Sequence, residues 1–132
     1  MLTGGCYCGA IRYETSAAAT HQALCHCTIC RRTTGAPCVA WFTVPADSYR
    51  LLSGTPTSFR SSQHGTRSFC SICGTQLTFA DADFPAEVDI TSASLDQPSL
   101  APPQSHIFVA DAIPWLVLGD RLPRYTASRS QG

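Results

Sequence analysis

The chain has 132 residues, which the usual length prior makes one domain. Charged residues are 14% of it, against roughly 25% in an average domain, nine Arg offset nine Asp and Glu, and no Lys occurs. A Schiff-base or P-loop lysine is therefore excluded, neutral balance speaks against nucleic-acid binding, and no apolar run approaches the ~20 residues of a membrane span.

Met1–Gly5 has neither a charged head nor an apolar signal core, so a soluble cytoplasmic protein is expected. Nine Gly and nine Pro punctuate short segments rich in β-branched and aromatic residues. Strands are predicted over Ala10–Glu14 and His21–Cys25, followed by a helical turn within Thr28–Thr34. Further strands are predicted over Val39–Val44, Tyr49–Leu52, Thr57–Arg60, Thr66–Phe69, Gln76–Phe79 and Glu87–Thr91. A second helical turn falls near Ser94–Leu95, and His106–Val109 closes the series. This pattern reads as a single all-β domain over residues 1–126, with 127–132 as a frayed tail.

Eight cysteines, roughly 6% of the chain, fall below the level of about 8–10% that marks a disulfide scaffold. Two of their pairs are Cys-x-Cys, too close for a relaxed disulfide, and a reducing compartment disfavours persistent bridges. Thiolates spaced at two and three residues repel one another unless a cation sits among them, so metal binding is the better reading. Sulfur-rich tetrahedral sites select zinc or iron–sulfur; zinc is favoured because the ferredoxin spacings do not match.

Cys70-Ser71-Ile72-Cys73-Gly74 has the form of a zinc knuckle, and Cys6-Tyr7-Cys8-Gly9 is a shorter version with the same trailing Gly. Together they offer four thiolates, the set of a closed structural zinc. Cys25-His26-Cys27-Thr28-Ile29-Cys30 offers three, leaving a fourth position for water or substrate, the mark of a catalytic zinc. Alternatively His26 or Cys38 closes that position, although His26 should point away from a metal held by Cys25 and Cys27 in an extended stretch. Spacing alone also allows Cys25 and Cys27 to join Cys70 and Cys73.

Gly4-Gly5-Cys6-Tyr7-Cys8-Gly9-Ala10-Ile11-Arg12-Tyr13, Cys25-His26-Cys27-Thr28-Ile29-Cys30-Arg31-Arg32 with Gly35-Ala36, and Arg67-Ser68-Phe69-Cys70-Ser71-Ile72-Cys73-Gly74-Thr75 resemble the glutathione-dependent formaldehyde-activating family. His106-Ile107-Phe108, Trp115 and Leu122-Pro123-Arg124-Tyr125 are similar to its C-terminal pattern. The resemblance implies a β-tent fold of short antiparallel sheets around zinc sites. It also implies a structural zinc on Cys6, Cys8, Cys70 and Cys73 and a catalytic zinc on Cys25, Cys27 and Cys30. The implied activity is that of S-(hydroxymethyl)glutathione synthase: carbon–sulfur lyase-type chemistry on a thiol–aldehyde adduct, with glutathione and formaldehyde as partners. A non-catalytic zinc-stapled binding module is the alternative, and redox sensing by the Cys25–Cys30 loop a third reading.

Among single residues, Arg31 is a candidate contact for a thiol substrate's carboxylate. Arg67 is expected in a structural salt bridge, and His106 as a satisfied structural histidine rather than a general acid or base. Phe108 and Trp115 are expected in the core or a pocket wall. Cys38, within apolar Pro37–Phe42, is expected to be a spectator.

Overall fold

The computed structural model describes residues 1–128. In chain order the strands are β1 (Leu2–Gly5), β2 (Arg12–Thr15), β3 (Thr20–Cys25), β4 (Val39–Pro45), β5 (Tyr49–Ser53), β6 (Thr57–Arg60), β7 (Gly65–Phe69), β8 (Gln76–Asp81), β9 (Glu87–Thr91) and β10 (Ser105–Ile107). One helix, α1 (Thr28–Thr34), separates β3 from β4. The small sheet has the order β1-β2-β5, and the large one β10-β3-β4-β9-β8-β7-β6. Neighbours are antiparallel except β10, which lies parallel to β3.

The two faces of the large sheet have different fates, because successive side chains of a strand point opposite ways. Phe42 and Val44 of β4 and Ile90 of β9 turn to one face and are fully buried, joined by Leu77 of β8, which a register shift opposite Ser68 and Phe69 takes out of phase with Phe79. They pack with Tyr13 of β2, Ile11, Leu95 and Ala101 into the main core between the sheets. Trp41 of β4 turns to the other face and packs with Cys25, Cys30, Phe79 and Ile107 in a second, smaller cluster. Covering on both faces explains why β4 reads as a nearly continuous apolar run instead of an alternating one.

Four features differ from the sequence reading. Leu2–Gly5 is a strand although Leu-Thr-Gly-Gly carries no β signature; pairing with β2 decides it, in the register Leu2↔Thr15 to Gly5↔Arg12. Gly4 is needed there, since a Cβ would run into the Tyr13 ring, whose hydroxyl hydrogen-bonds Ser94 at 2.6 Å. The last strand ends at Ile107, because Phe108 takes a left-handed conformation (φ 55°) and the chain enters a 3-10 turn over Val109–Asp111. Besides the turn at Ser92–Ser94, 3-10 turns also form over Ala46–Ser48 and Pro98–Leu100, the latter with Pro at its start. Finally, the segment after the predicted domain boundary begins in contact with the fold: the Phe108 N–H donates to the Ala127 carbonyl at 2.8 Å. The rest of the expected tail, 129–132, lies outside the described residues. No helix among the described residues is long and apolar enough to cross a membrane.

Candidate metal centres and the adjoining cavity

All eight cysteines are free of disulfides. Seven of them gather into two groups, Cys6-Cys8-Cys70-Cys73 and Cys25-Cys27-Cys30, within each of which the sulfurs lie inside 4.8 Å of one another. A tetrahedral zinc with Zn–S near 2.3 Å would set its sulfurs about 3.8 Å apart. The observed separations fit: Cys6–Cys8 at 3.6 Å, Cys8–Cys70 at 3.8 Å and Cys25–Cys30 at 3.5 Å. These are far longer than the ≈ 2.05 Å of an S–S bond. The donor sets suit a soft, tetrahedral cation.

The four-thiol group joins the β1–β2 loop to the β7–β8 loop. Each loop is a tight turn closed by a glycine with positive φ, Gly9 at 82° and Gly74 at 84°. The Gly9 N–H returns to the Cys6 carbonyl at 3.1 Å, and the Gly74 N–H to the Cys70 carbonyl at 2.8 Å. Backbone N–H groups are thereby turned inward, and that of Ile11 donates to Cys6 Sγ at 3.2 Å. Hydrogen bonds from the Thr75 hydroxyl and N–H hold the Cys73 thiol down to about 5. Between the loops, the Tyr7 N–H donates to Thr75 Oγ1 at 3.0 Å.

The three-thiol group sits where β3 runs into α1. Cys27 caps this helix: its sulfur accepts the Cys30 N–H at 3.2 Å, while Gly35 (φ 70°) closes the other end. Neighbouring Cys25 and Cys30 drive the Cys27 thiol well below its ordinary range. Cys25 is pushed far above its range by Cys27, Cys30 and burial. Three thiols this close cannot all carry charge unless a cation shares the site.

Of the two groups, only this second one lines a cavity of about 660 Å³ on the outer face of the large sheet. The same period-two alternation that buries Phe42 and Ile90 turns Ala23, Cys25, Trp41, Thr43, Arg67, Phe79 and Asp89 toward this cavity. Thr43 donates to Asp89 at 2.7 Å across the β4–β9 register. His21 and Phe108, the two non-glycine residues with positive φ among those described, both stand in its wall. Such backbone strain collects at functional sites.

Arg67 differs from its sequence reading. It is only 4% exposed, and its partners are a thiol, a hydroxyl and two rings instead of a carboxylate. Nη1 and Nη2 approach Cys30 Sγ at 3.6 and 3.5 Å, and Nε donates to Ser61 Oγ at 3.0 Å. The guanidinium lies 5.0 Å from the Phe79 ring centre and 5.7 Å from that of Trp41. Burial among aromatic rings removed the surface on which a carboxylate partner was expected.

Arg31 lies within α1, its Nη2 3.4 Å from Thr28 Oγ1, and it is not among the cavity-lining residues. His106 is fully buried and bonded at both ring nitrogens, to His26 and Asp120. His26 points away from the thiols as strand alternation requires, and neither it nor Cys38 joins the three-thiol group. Burial raises the Cys38 thiol. Phe108 is in the cavity wall, but Trp115 is 67% exposed, in a loop beyond the last strand that packs it against nothing central. The sequence reading missed His21, Thr43, Phe79 and Asp89 as cavity residues. The signal for them was the two-residue period within β3, β4, β8 and β9, which names a face only once the other face is known to be core.

Comparison with known proteins agrees with this geometry. A protein from Halomonas elongata, named "Putative glutathione-dependent formaldehyde-activating enzyme", is 27% identical over 130 residues, covering 92% of this chain and 83% of the relative. The crystal structure of a Rhodobacter sphaeroides protein has the same fold, with a TM-score of 0.61, 19% identity and coverage of 94% of this chain and 99% of the other. The family model for the glutathione-dependent formaldehyde-activating enzyme matches residues 1–111, a span that carries both thiol clusters and the cavity-bearing sheet. The chain belongs to the glutathione-dependent formaldehyde-activating enzyme family.

Proposed function

We propose that this protein is a zinc-dependent carbon–sulfur lyase-type enzyme acting on the adduct of a small thiol, glutathione or a relative of it, with formaldehyde or another aldehyde. The observation that supports it best is the asymmetry of the two clusters. Four thiols close one group away from the cavity, whereas three thiols form the other in the cavity wall. In this reading each chain holds two zinc ions, a structural one on Cys6, Cys8, Cys70 and Cys73 and a catalytic one on Cys25, Cys27 and Cys30. Thiolate ligation of this kind fits the reducing cytoplasm.

The reaction adds the thiol S–H across the aldehyde C=O: a carbon–sulfur bond forms and the thiol proton ends on the oxygen. Lysis is the reverse. A zinc held by Cys25, Cys27 and Cys30 would supply Lewis acidity toward a substrate sulfur or oxygen. The chain's own residues prepare that site. Arg67 directs two N–H groups at Cys30 and so draws negative charge off the ligand set. Trp41, Phe79 and Phe108 supply apolar wall, which limits water around the reacting atoms. Arg31, one residue after Cys30 on α1 but outside the cavity lining, is the proposed contact for a substrate carboxylate that reaches beyond the cavity rim.

The test is zinc content combined with exchange between formaldehyde, glutathione and their adduct, followed by NMR. Two zinc ions per chain and accelerated exchange are expected, with acceleration lost in Cys27→Ser. One zinc per chain, with Cys25, Cys27 and Cys30 freely alkylated, would instead identify a zinc-stapled binding module.

A further inference from the structure

Between the ligands Cys25 and Cys27, His26 is fully buried on the face opposite the sulfurs. Its Nε2 lies 2.9 Å from Nδ1 of His106, itself fully buried, and Nε2 of His106 lies 2.9 Å from the Asp120 carboxylate. Asp120 is 38% exposed and also accepts the Leu122 N–H at 3.0 Å. Three segments distant in sequence thus meet in one row of side chains: the ligand strand, β10 and the C-terminal segment. Backbone bonds run beside it, from the His26 N–H to the Ile107 carbonyl at 3.0 Å and from the His106 N–H to the Pro123 carbonyl at 2.8 Å.

The direction of the row at its Asp120 end follows from acceptor capacity. An ionised carboxylate only accepts, so Nε2 of His106 carries the proton facing Asp120. Between the two rings one nitrogen donates and the other accepts, so Nδ1 of His106 and Nε2 of His26 share the next hydrogen bond of the row. The His26 ring is thereby fixed in one orientation, and the backbone on either side of it carries the sulfurs of Cys25 and Cys27.

We propose that Asp120 and His106 are positioning residues for the three-thiol centre, holding the Cys25–His26–Cys27 segment through a row that runs from a surface carboxylate through two buried imidazoles. The proposal rests on reading that centre as a metal site. Partners behind a ligand set change metal affinity by about 10- to 100-fold, even without touching the metal. The row reaches the backbone between two ligands, so the same order of effect is expected. A residue that merely filled the fold would not act on one metal selectively.

The test uses the full chain loaded with zinc, and in parallel with cobalt, in wild type, Asp120→Ala and Asp120→Asn. Release of each metal to a chromogenic chelator is followed together with the thiolate-to-cobalt absorption bands and the melting temperature. Asp120→Ala should release one of the two metals about 10- to 100-fold faster, with its cobalt bands altered and the other metal unaffected. Asp120→Asn, whose amide oxygen still accepts from His106 and Leu122, should return release to within a few-fold of wild type. Two bound metals whose release is unchanged in Asp120→Ala, or accelerated equally, would overturn this proposal alone. A single metal per wild-type chain would overturn the three-thiol metal reading, and this proposal with it.

Discussion

Exchanging one thiol in each cluster for a hydroxyl should separate their roles, and the fold sets the size of the difference. Cys8 and Cys70 stand 62 positions apart in the chain. Treating the metal as a cross-link between them, a loop of this length removes unfolded-state entropy equivalent to about 4 kcal/mol. Cys25 and Cys30 are separated by only 5 positions, for which the same expression gives about 2 kcal/mol. Against a typical domain stability of about 5–15 kcal/mol, the first loss takes a large share of the total and the second does not. Cys27→Ser carries a further protection, because serine is among the best residues to cap a helix and its Oγ can take over the Cys30 N–H. Cys70→Ser should therefore lower the melting temperature by roughly 10–20 °C and Cys27→Ser by only a few degrees. At the same time, Cys27→Ser should abolish adduct exchange at a temperature where it is folded. The assay is a thermal melt by circular dichroism, with zinc content measured on the same samples. Equal melting losses in the two variants, or exchange retained by Cys27→Ser, would refute the division into structural and working sites.

Arg67→Met keeps the stem but removes the donors to Cys30 and the cation beside Trp41 and Phe79; it should cost roughly 2 kcal/mol in a urea melt. It should also speed metal release from the three-thiol centre about 10-fold or more, and unchanged release would argue against a supporting role for the guanidinium. The Arg12 guanidinium, with help from Thr3, lowers the Asp96 carboxyl to about 2. A lowered carboxyl adds stability above its unfolded value, near 3.8, and loses it as pH falls toward 2. The pair is more than one-third exposed, so Asp96→Asn should cost at most about 1 kcal/mol at neutral pH. That difference should vanish in acid melts near pH 2; persistence there would mean that shape, not charge, made the contribution.

Much of the site's chemistry was local in the chain, and that part was legible. Two or three thiols within a few residues, the paired ones followed by a turn-permitting glycine, mark candidate metal-binding loops whatever surrounds them. The Cys27-capped helix and strands such as Thr57–Arg60 and Glu87–Thr91 also follow from short-range preferences. The roles of Arg67, His106 and Asp120 depend instead on residues dozens of positions away. No local pattern distinguishes an arginine that meets a carboxylate from one that lies over Phe79 and Trp41 against a sulfur. Leu2–Gly5 likewise becomes a strand only because β2 lies beside it.

The amino-acid order by itself determined the three cysteine loops and the rhythm of strands and turns, since both arise from neighbours a few bonds apart, but left open which loops join until the fold brought Cys6 and Cys8 beside Cys70 and Cys73. Only the tertiary structure decided which set faces a cavity, because period-two alternation divides a strand into two faces without saying which is core. Packing of the small sheet against Phe42, Leu77 and Ile90 settled it, leaving Trp41, Arg67 and the three thiols around the open space.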